Sequence, residues 1–587
     1  MKKLFPICLL LLLLLLLPTA AYAIDFTPEE GANTLYELGL FQGKGTTANG
    51  RPIYALNDTP TRAEAVTMLV RLLGREQEAK AGAWDLPFTD VPEWARPYVG
   101  YAYANGLTNG IGAGRFGSGQ AVTADQYMTF LLRALGYSSE TDFAWNAAAD
   151  YGAGLGLKIA DRKAFTRGQV AAVSAAALAQ KQKGSALTLA ALLQQNGAID
   201  GALAAEYGFL IPGIPLGANG NRVTLQTADG RYLAPAGRKL TLSDTPFVWQ
   251  TDRGPAGDMI LQLGGENSLR LDVENAWFSA GNAVSLCENT GSDAQLWTLS
   301  STEEGGWQLL CATHPELGLS ERFQLCKSSQ AAAWQVQCVG TDRAKYFETD
   351  SADGAVTLQA EYRLLDLISR QRLQKLADDL STAYGDYAEL TGWKPYDRVY
   401  YKMYETIPEG YWGYATTTDT LHIDSDCIYA DIRDNLSRRK NDWNFGLLHE
   451  MSHLFHIDKP WEFHAEVICD YGLAYTVTKN NAAAVPADWY GAREYTGWEI
   501  LEVYLGDGPL SETLTVFSLT RKLVEITKQI GWEAAMEMFR NYPSQVPDSP
   551  RAQLELFIDQ LGKAGGIDAR ALFTPAEWAN AMKIGEL

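Results

Sequence analysis

Positive charge is scarce in this chain. Its 587 residues carry 49 Lys and Arg against 70 Asp and Glu, a formal net charge of −21. Nucleic-acid phosphates are bound by clustered Lys and Arg, so this balance argues against nucleic acid as the main partner. Cysteine is scarce too. The chain has seven, and no Cys-x-x-Cys pair, so a structural zinc knuckle is not expected. Six of them, Cys287, Cys311, Cys326, Cys338, Cys427 and Cys469, lie beyond the N-terminal region, and their spacing gives no disulfide connectivity. After the N-terminus no stretch is long and apolar enough to span a membrane. Apolar residues are not lacking: 47% hydrophobic and 20% charged is an ordinary globular mix, which excludes wholesale disorder. The length predicts roughly three to four domains.

The N-terminus points to export. Lys2 and Lys3 precede an unbroken run of nine leucines, Leu9 to Leu17, and Ala21-Tyr22-Ala23 forms an A-x-A cleavage site. Residues 1–23 therefore read as a secretory signal peptide, with Ile24 first in the mature chain. A nine-leucine core is short for a span of ~20 residues. Cys8 precedes the apolar run and is badly placed for a lipid anchor.

Residues 24–210 hold a recurring signal. Thr61-Arg62-Ala63-Glu64, Thr123-Ala124-Asp125-Gln126 and Thr166-Arg167-Gly168-Gln169 each precede an apolar helical pattern. The threonine hydroxyl can cap the third backbone N–H while the Glu or Gln reaches back, so each predicts a capping box. Three boxes with matching helices predict a repeated unit. The middle copy adds Phe88-Thr89-Asp90-Val91, Trp94, Asn105-Gly106-Leu107-Thr108-Asn109-Gly110 and Phe116. This stretch resembles the S-layer homology domain. The resemblance implies a mostly helical three-repeat bundle that attaches secreted proteins non-covalently to cell-wall polysaccharide. It implies that Arg62 and Arg167 help bind the anionic polymer, while Ala124 in the middle copy weakens one groove. A plainer alternative leaves both arginines as exposed residues at helix starts.

From Val223 to about Val339 the helical periodicity gives way to short β-type runs between Gly, Asn, Asp and Ser clusters. Trp249, Trp297 and Trp334 close three similar units, at spacings of 48 and 37 residues. Residues 222–340 are thus expected to form an all-β unit with pseudo-threefold character. The middle unit reads Leu271-Asp272-Val273, Trp277, Gly281-Asn282-Ala283-Val284, Cys287-Glu288-Asn289 and Gln295-Leu296-Trp297. It resembles the ricin-type β-trefoil lectin. That resemblance implies glycan binding by Asp272 and Asn289, with Trp277 stacking on the sugar ring and Phe278 as its rival. The first and third units lack the aspartate, so at most one competent pocket is expected. The alternative is a spacer with Asp272 in a turn.

The strongest constellation is His449-Glu450-Met451-Ser452-His453. On a helix the two histidines share one face and can ligate one Zn2+, and Glu450 between them is placed as general base on a metal-activated water. Four of the six histidines, His449, His453, His456 and His464, fall within 16 residues. A third histidine six residues after His453 would mark a metzincin, but Lys459 stands there. Downstream candidates are Glu462, His464 and Glu466. Pro460 is expected to end the first helix, and Phe463 to Val477 is apolar enough for a buried second one. Glu466 and Asp470 are one turn apart on it, which favours Glu466 as third ligand and Asp470 as the acid that orients a zinc histidine, the gluzincin arrangement. Glu462 is the alternative ligand, and His456 and His464 are expected at the rim or behind the ligands.

Tyr411 to Ala415 and Thr420 to Ile423 read as two short strands; an edge strand beside such a helix can hold an extended peptide. Further on come a helix from Phe517 to Ile530 and Gly531-Trp532-Glu533 with Met538-Phe539-Arg540-Asn541-Tyr542. Residues 360–587 resemble the enhancin-like, mucin-degrading zinc peptidases (peptidase M sixty family), although that family often carries Asn where this chain has Asp470. The resemblance implies cleavage of glycoproteins or mucins. Tyr471, Tyr475, Tyr490 and Tyr495 are candidate oxyanion donors.

The expected architecture is multidomain: a helical S-layer homology bundle, an all-β trefoil and an α+β gluzincin metallopeptidase domain. The expected role is that of a secreted zinc endopeptidase held on a bacterial cell surface, with glycans, wall polysaccharide and a glycosylated protein substrate as partners. The alternatives are a non-catalytic glycan adhesin with a decayed peptidase domain, and a peptidase acting on the cell's own wall or S-layer.

Overall fold

A computed structural model describes residues 24–217, 220–254, 258–264, 268–302, 306–407, 410–437, 439, 441–484 and 508–587. The signal-peptide expectation for 1–23, and Tyr490 and Tyr495, lie outside the described residues. The chain forms two compact units, one ending at Lys345 and one starting at Tyr346, with the short segment Thr47–Arg51 grouped with the second.

The first unit opens with helices. Helices α1 (Pro28–Glu37), α2 (Arg62–Leu72), α3 (Ala124–Ala134) and α4 (Arg167–Leu178) each start at a threonine whose side chain caps the third N–H. The capping box is complete at Thr61/Glu64 and Thr123/Gln126. In α4 only half of it forms: Thr166 accepts from Gln169 N–H, while Gln169 Oε1 is buried without a partner among the described residues. Thr27 and Glu30, which the repeat pattern did not include, make a further complete box.

Twelve short strands follow, and every pairing among them is antiparallel. They fall into three groups of four: β1 (Asn221–Gln226), β2 (Tyr232–Ala236), β3 (Lys239–Ser243) and β4 (Trp249–Arg253); β5 (Met259–Gln262), β6 (Arg270–Val273), β7 (Val284–Cys287) and β8 (Trp297–Ser301); β9 (Trp307–Cys311), β10 (Leu317–Leu319), β11 (Leu325–Lys327) and β12 (Gln335–Thr341). The first and last strand of each group and of its neighbours pair: β1 with β4, β4 with β5, β5 with β8, β8 with β9, and β12 with β1. A bridge between Trp307 and Trp334 links β9 to the residue before β12. The middle two strands of each group form a hairpin. Trp249, Trp297 and Trp334 are fully buried. Two of them donate their indole N–H to a backbone carbonyl of their own group, Trp249 to Leu233 at 2.9 Å and Trp297 to Leu271 at 3.0 Å. Helical and β regions share one buried cluster, so they form one compact unit rather than two.

The second unit is a mixed five-stranded sheet with helices. Its strands are β13 (Tyr346–Asp350), β14 (Val356–Glu361), β15 (Val399–Glu405), β16 (Gly413–Ala415) and β17 (Thr420–Asp424), in the order β13-β14-β15-β17-β16. β14, β15 and β17 run parallel, and the two edge strands antiparallel to their neighbours. β13 and β14 belong to this sheet, so the unit begins at Tyr346 rather than at the expected 360. Helix α5 (Arg370–Thr391) packs on the sheet and on α6 (Phe445–His453), which in turn packs against α7 (Ala465–Asn480). A second apolar cluster joins α7 to α8 (Val516–Ile530), α9 (Trp532–Arg540) and α10 (Pro550–Gly565). All six cysteines after Cys8 are free thiols.

Candidate metal centre

Helix α6 starts at a built cap. Asn444 is buried at φ +62°, a conformation that asparagine tolerates better than most residues. Its side-chain oxygen accepts Leu447 N–H at 3.0 Å, and its own N–H donates to Asp442 Oδ1 at 2.9 Å. The helix ends at His453, well before Pro460, and the chain then turns through Asp458 at φ +59°. α7 then begins at Ala465, slightly later than the apolar pattern predicts. The two helices cross closely at Gly472, where a Cβ would lie 2.5 Å from Ser452 Oγ.

This crossing brings three donors together. One nitrogen each of His449 and His453 and one carboxylate oxygen of Glu466 lie within 4.8 Å of one another, the only such cluster of His, Cys, Asp and Glu among the described residues. Glu466 Oε2 is 2.9 Å from His449 Nε2, and Oε1 is 3.8 Å from His453 Nε2. Behind His449, Asp470 Oδ1 is 2.8 Å from Nδ1. With Nδ1–H donated to Asp470, Nε2 is the nitrogen that would face a cation. Burial opposes the charge on His449, but the Asp470 hydrogen bond and carboxylate outweigh it and hold the imidazole pKa well above its usual range. The His449 contact holds the Glu466 carboxyl down at about 2. Burial, with the His449 charge adding to it, pushes His453 down to about 4, so its imidazole is neutral near pH 7.

Glu450 is buried on the same helix and is not one of the three donors. Burial pushes its carboxyl up to about 7; the His449 charge works against this and Glu466 adds to it. A carboxyl poised near neutral pH suits a general base. Gly413 of β16 lies beside it, where a Cβ would be 3.1 Å from Glu450 Cγ. An edge strand therefore runs past the buried acid.

The remaining predicted residues separate. Glu462 Oε2 accepts Asp458 N–H at 2.8 Å, which fixes the turn between the helices and keeps it apart from the donor cluster. His456 is not at a rim: it is 1% exposed and its Nδ1 accepts the Trp461 indole N–H at 3.0 Å. Half-buried His464 immediately precedes α7, with Nδ1 unpartnered among the described residues. Tyr471 is fully buried against Thr527 Oγ1 at 2.7 Å, and the Tyr475 hydroxyl faces Met536 sulfur at 3.9 Å, so neither points at the cluster. One further contact has no counterpart in the sequence pattern. Cys469 Sγ is 2.9 Å from His453 Nδ1. Burial holds this thiol well above its usual range, so it is neutral. Its place three residues after Glu466 on a helix was the available signal.

In the first unit, Asp272 on β6 is buried, and burial raises its carboxyl pKa. Trp277 is 68% exposed. Asn289 Oδ1 accepts from Arg270 Nη1 at 2.6 Å. Phe278 packs on the His314 ring at 4.3 Å, a partner the sequence pattern did not identify. Arg62 and Arg167 are not exposed helix starts: they are 6% and 5% exposed. Arg62 donates to Asn109 O at 2.8 Å, and its guanidinium lies 5.0 and 4.8 Å from the Phe116 and Phe130 ring centres. Arg167 Nε donates to Tyr54 O at 3.1 Å.

Residues 87–123 match the family described as the S-layer homology domain. The chain is 33% identical over 145 residues to a cell surface protein of Thermoanaerobacter kivui, covering 24% of this chain and 18% of that protein. It is 33% identical over 129 residues to the middle cell wall protein of Brevibacillus brevis, covering 22% of this chain and 12% of that one. The chain thus spans less than a fifth of the length of either relative. A solved metallopeptidase from Bacteroides thetaiotaomicron overlaps 60% of this chain and 58% of its own, at 12% identity and a TM-score of 0.28. The chain carries an S-layer homology domain and is a surface protein attached to the cell wall. Among the described residues no helix is long and apolar enough to cross a membrane.

Proposed function

We infer that this chain is a wall-anchored zinc endopeptidase of the enhancin-like gluzincin kind, acting on glycosylated, mucin-like proteins. The observation that carries the reading is the convergence of His449, His453 and Glu466 beside a buried Glu450. The donor set fits zinc: two imidazole nitrogens and one carboxylate are a known catalytic zinc set, and one histidine has its tautomer fixed from behind by Asp470. When bound, zinc supplies a Lewis acid that polarises the scissile carbonyl and acidifies a water. The chain's residues do the rest. β16 is an edge strand of the sheet among the described residues and would suit an extended substrate, and Gly413 leaves room beside Glu450. Glu450 takes a proton from the attacking water and returns it to the leaving amine. Burial keeps that proton exchange near neutral pH.

The anchor and the lectin-like region extend this reading. The match at 87–123 supports anchoring to wall polysaccharide through the S-layer homology repeats; Arg62 and Arg167, expected to bind the polymer, are buried and would support its site through packing rather than by direct contact. The three four-strand groups support a β-trefoil, and the exposed Trp277 supports a glycan-stacking surface on the middle group. A glycan-binding module beside a peptidase raises the local concentration of glycosylated substrate. The test is metal analysis of the purified chain together with cleavage of a mucin-type glycoprotein, before and after glycosidase treatment. Bound zinc with cleavage that falls after deglycosylation supports the reading; a zinc-free, inactive chain that still binds glycans would favour the adhesin alternative.

A further inference from the structure

The two histidines of α6 differ in what stands behind them. Asp470 backs His449, and the residue before it, Cys469, backs His453, with Sγ 2.9 Å from Nδ1. Successive side chains on a helix diverge by about 100°, so neighbours on α7 approach from two directions. The two imidazoles need this, because their rings are 4.9 Å apart and nearly perpendicular, at 82°. One partner could not serve both.

We propose that Cys469 is a positioning residue of the metal centre: its sulfur accepts the Nδ1–H of His453 and keeps Nε2 of that ring as the donor toward the cation. The proposal rests on the zinc reading above. Cys469 is fully buried, so no bulk water can take over as acceptor. The sulfur also suits the charge of the site. Glu466 and Asp470 already contact His449, and a sulfur acceptor orients the second ring without adding another carboxylate.

The test uses the full-length chain with Cys469→Val, Cys469→Ala and Cys469→Ser. Zinc affinity is read by competition with a chelator of known affinity, and ligand geometry by the visible spectrum of the Co2+-substituted protein. Valine keeps the packing but cannot accept a hydrogen bond, so it and alanine should lose about 10–100-fold in zinc affinity, as expected when an orienting partner is removed. Serine can accept and should recover most of that loss, with a Co2+ spectrum close to the original. Thermal unfolding of the metal-free valine variant, unchanged from the parent, separates orientation from simple misfolding. A valine variant that binds zinc like the parent, or a serine variant no better than valine, overturns the assignment. A parent chain that takes up no zinc overturns the metal reading itself, and this one with it.

Discussion

Removing the Glu466 carboxylate should strip the metal, and its neighbours should rank below it. Glu466→Ala deletes one of only three protein donors in the cluster. Asp470→Ala leaves all three in place but removes the partner 2.8 Å from His449 Nδ1. Losing an orienting partner typically costs ~10–100-fold in affinity, or about 1.4–2.7 kcal/mol. Glu466→Ala should exceed that range, since two histidines and water fall short of the three protein ligands typical of catalytic sites. Glu462→Ala should leave zinc affinity unchanged, because Glu462 accepts backbone N–H groups in the turn between the helices and is not one of the clustered donors. Its cost should appear instead as a small drop in thermal stability. The assay is zinc competition against a chelator on the three variants, with circular dichroism to show that each is folded. If Glu462→Ala loses the metal while Glu466→Ala keeps it, the third ligand lies four residues upstream and the role given to Asp470 falls as well.

Gly472→Ala should impair the same centre without touching a donor: its Cβ would meet Ser452 Oγ at 2.5 Å and crowd His456 at 3.3 Å, so the α6–α7 contact must adjust and zinc affinity should fall, read by the same competition. Arg62→Ala should destabilise the first unit by about 2–4 kcal/mol, because it removes a guanidinium packed between Phe116 and Phe130 and leaves a cavity. Arg62→Lys should restore little, since lysine lacks the planar fork; urea unfolding measures both. Burial raises the Glu76 carboxyl, but hydrogen bonds from Lys80, Arg71 and Tyr98 outweigh this and bring it from 4.5 to about 2. A lowered folded-state value stabilises above the unfolded one. The stability gap between the parent and Glu76→Gln should therefore be full above about pH 4.5 and vanish as pH falls to about 2.

The legible parts of this molecule are those carried by short-range spacing. The threonine caps of α2 and α3, the tryptophans that close each β group, and the His449–His453 and Glu466–Asp470 intervals follow from helical or strand periodicity within a few residues. Contacts between segments far apart in sequence were not legible. Nothing local to Arg62 says that Phe116 and Phe130 will enclose it. Nothing local to His456 decides between a rim position and one behind the ligands; Trp461 and Phe539 bury it. The half-formed box at Thr166 has the same origin: burial decides whether Gln169 turns back. Cys469 escaped notice because thiols usually pack as small apolar groups, and only the angle between α6 and α7 aims its sulfur at His453. The division at Tyr346 is not legible locally, because β13 and β14 continue a β pattern that ends in another sheet.

The most direct test of the peptidase reading is the cleavage rate of Glu450→Gln at matched zinc content. Glu450 is beside the donors but not one of them, so the variant should bind zinc as the parent does. Its rate on a mucin-type glycoprotein should fall by at least ~10²–10⁴-fold, the contribution of a positioned general base. Cleavage at the parent rate by the zinc-loaded variant would contradict the account.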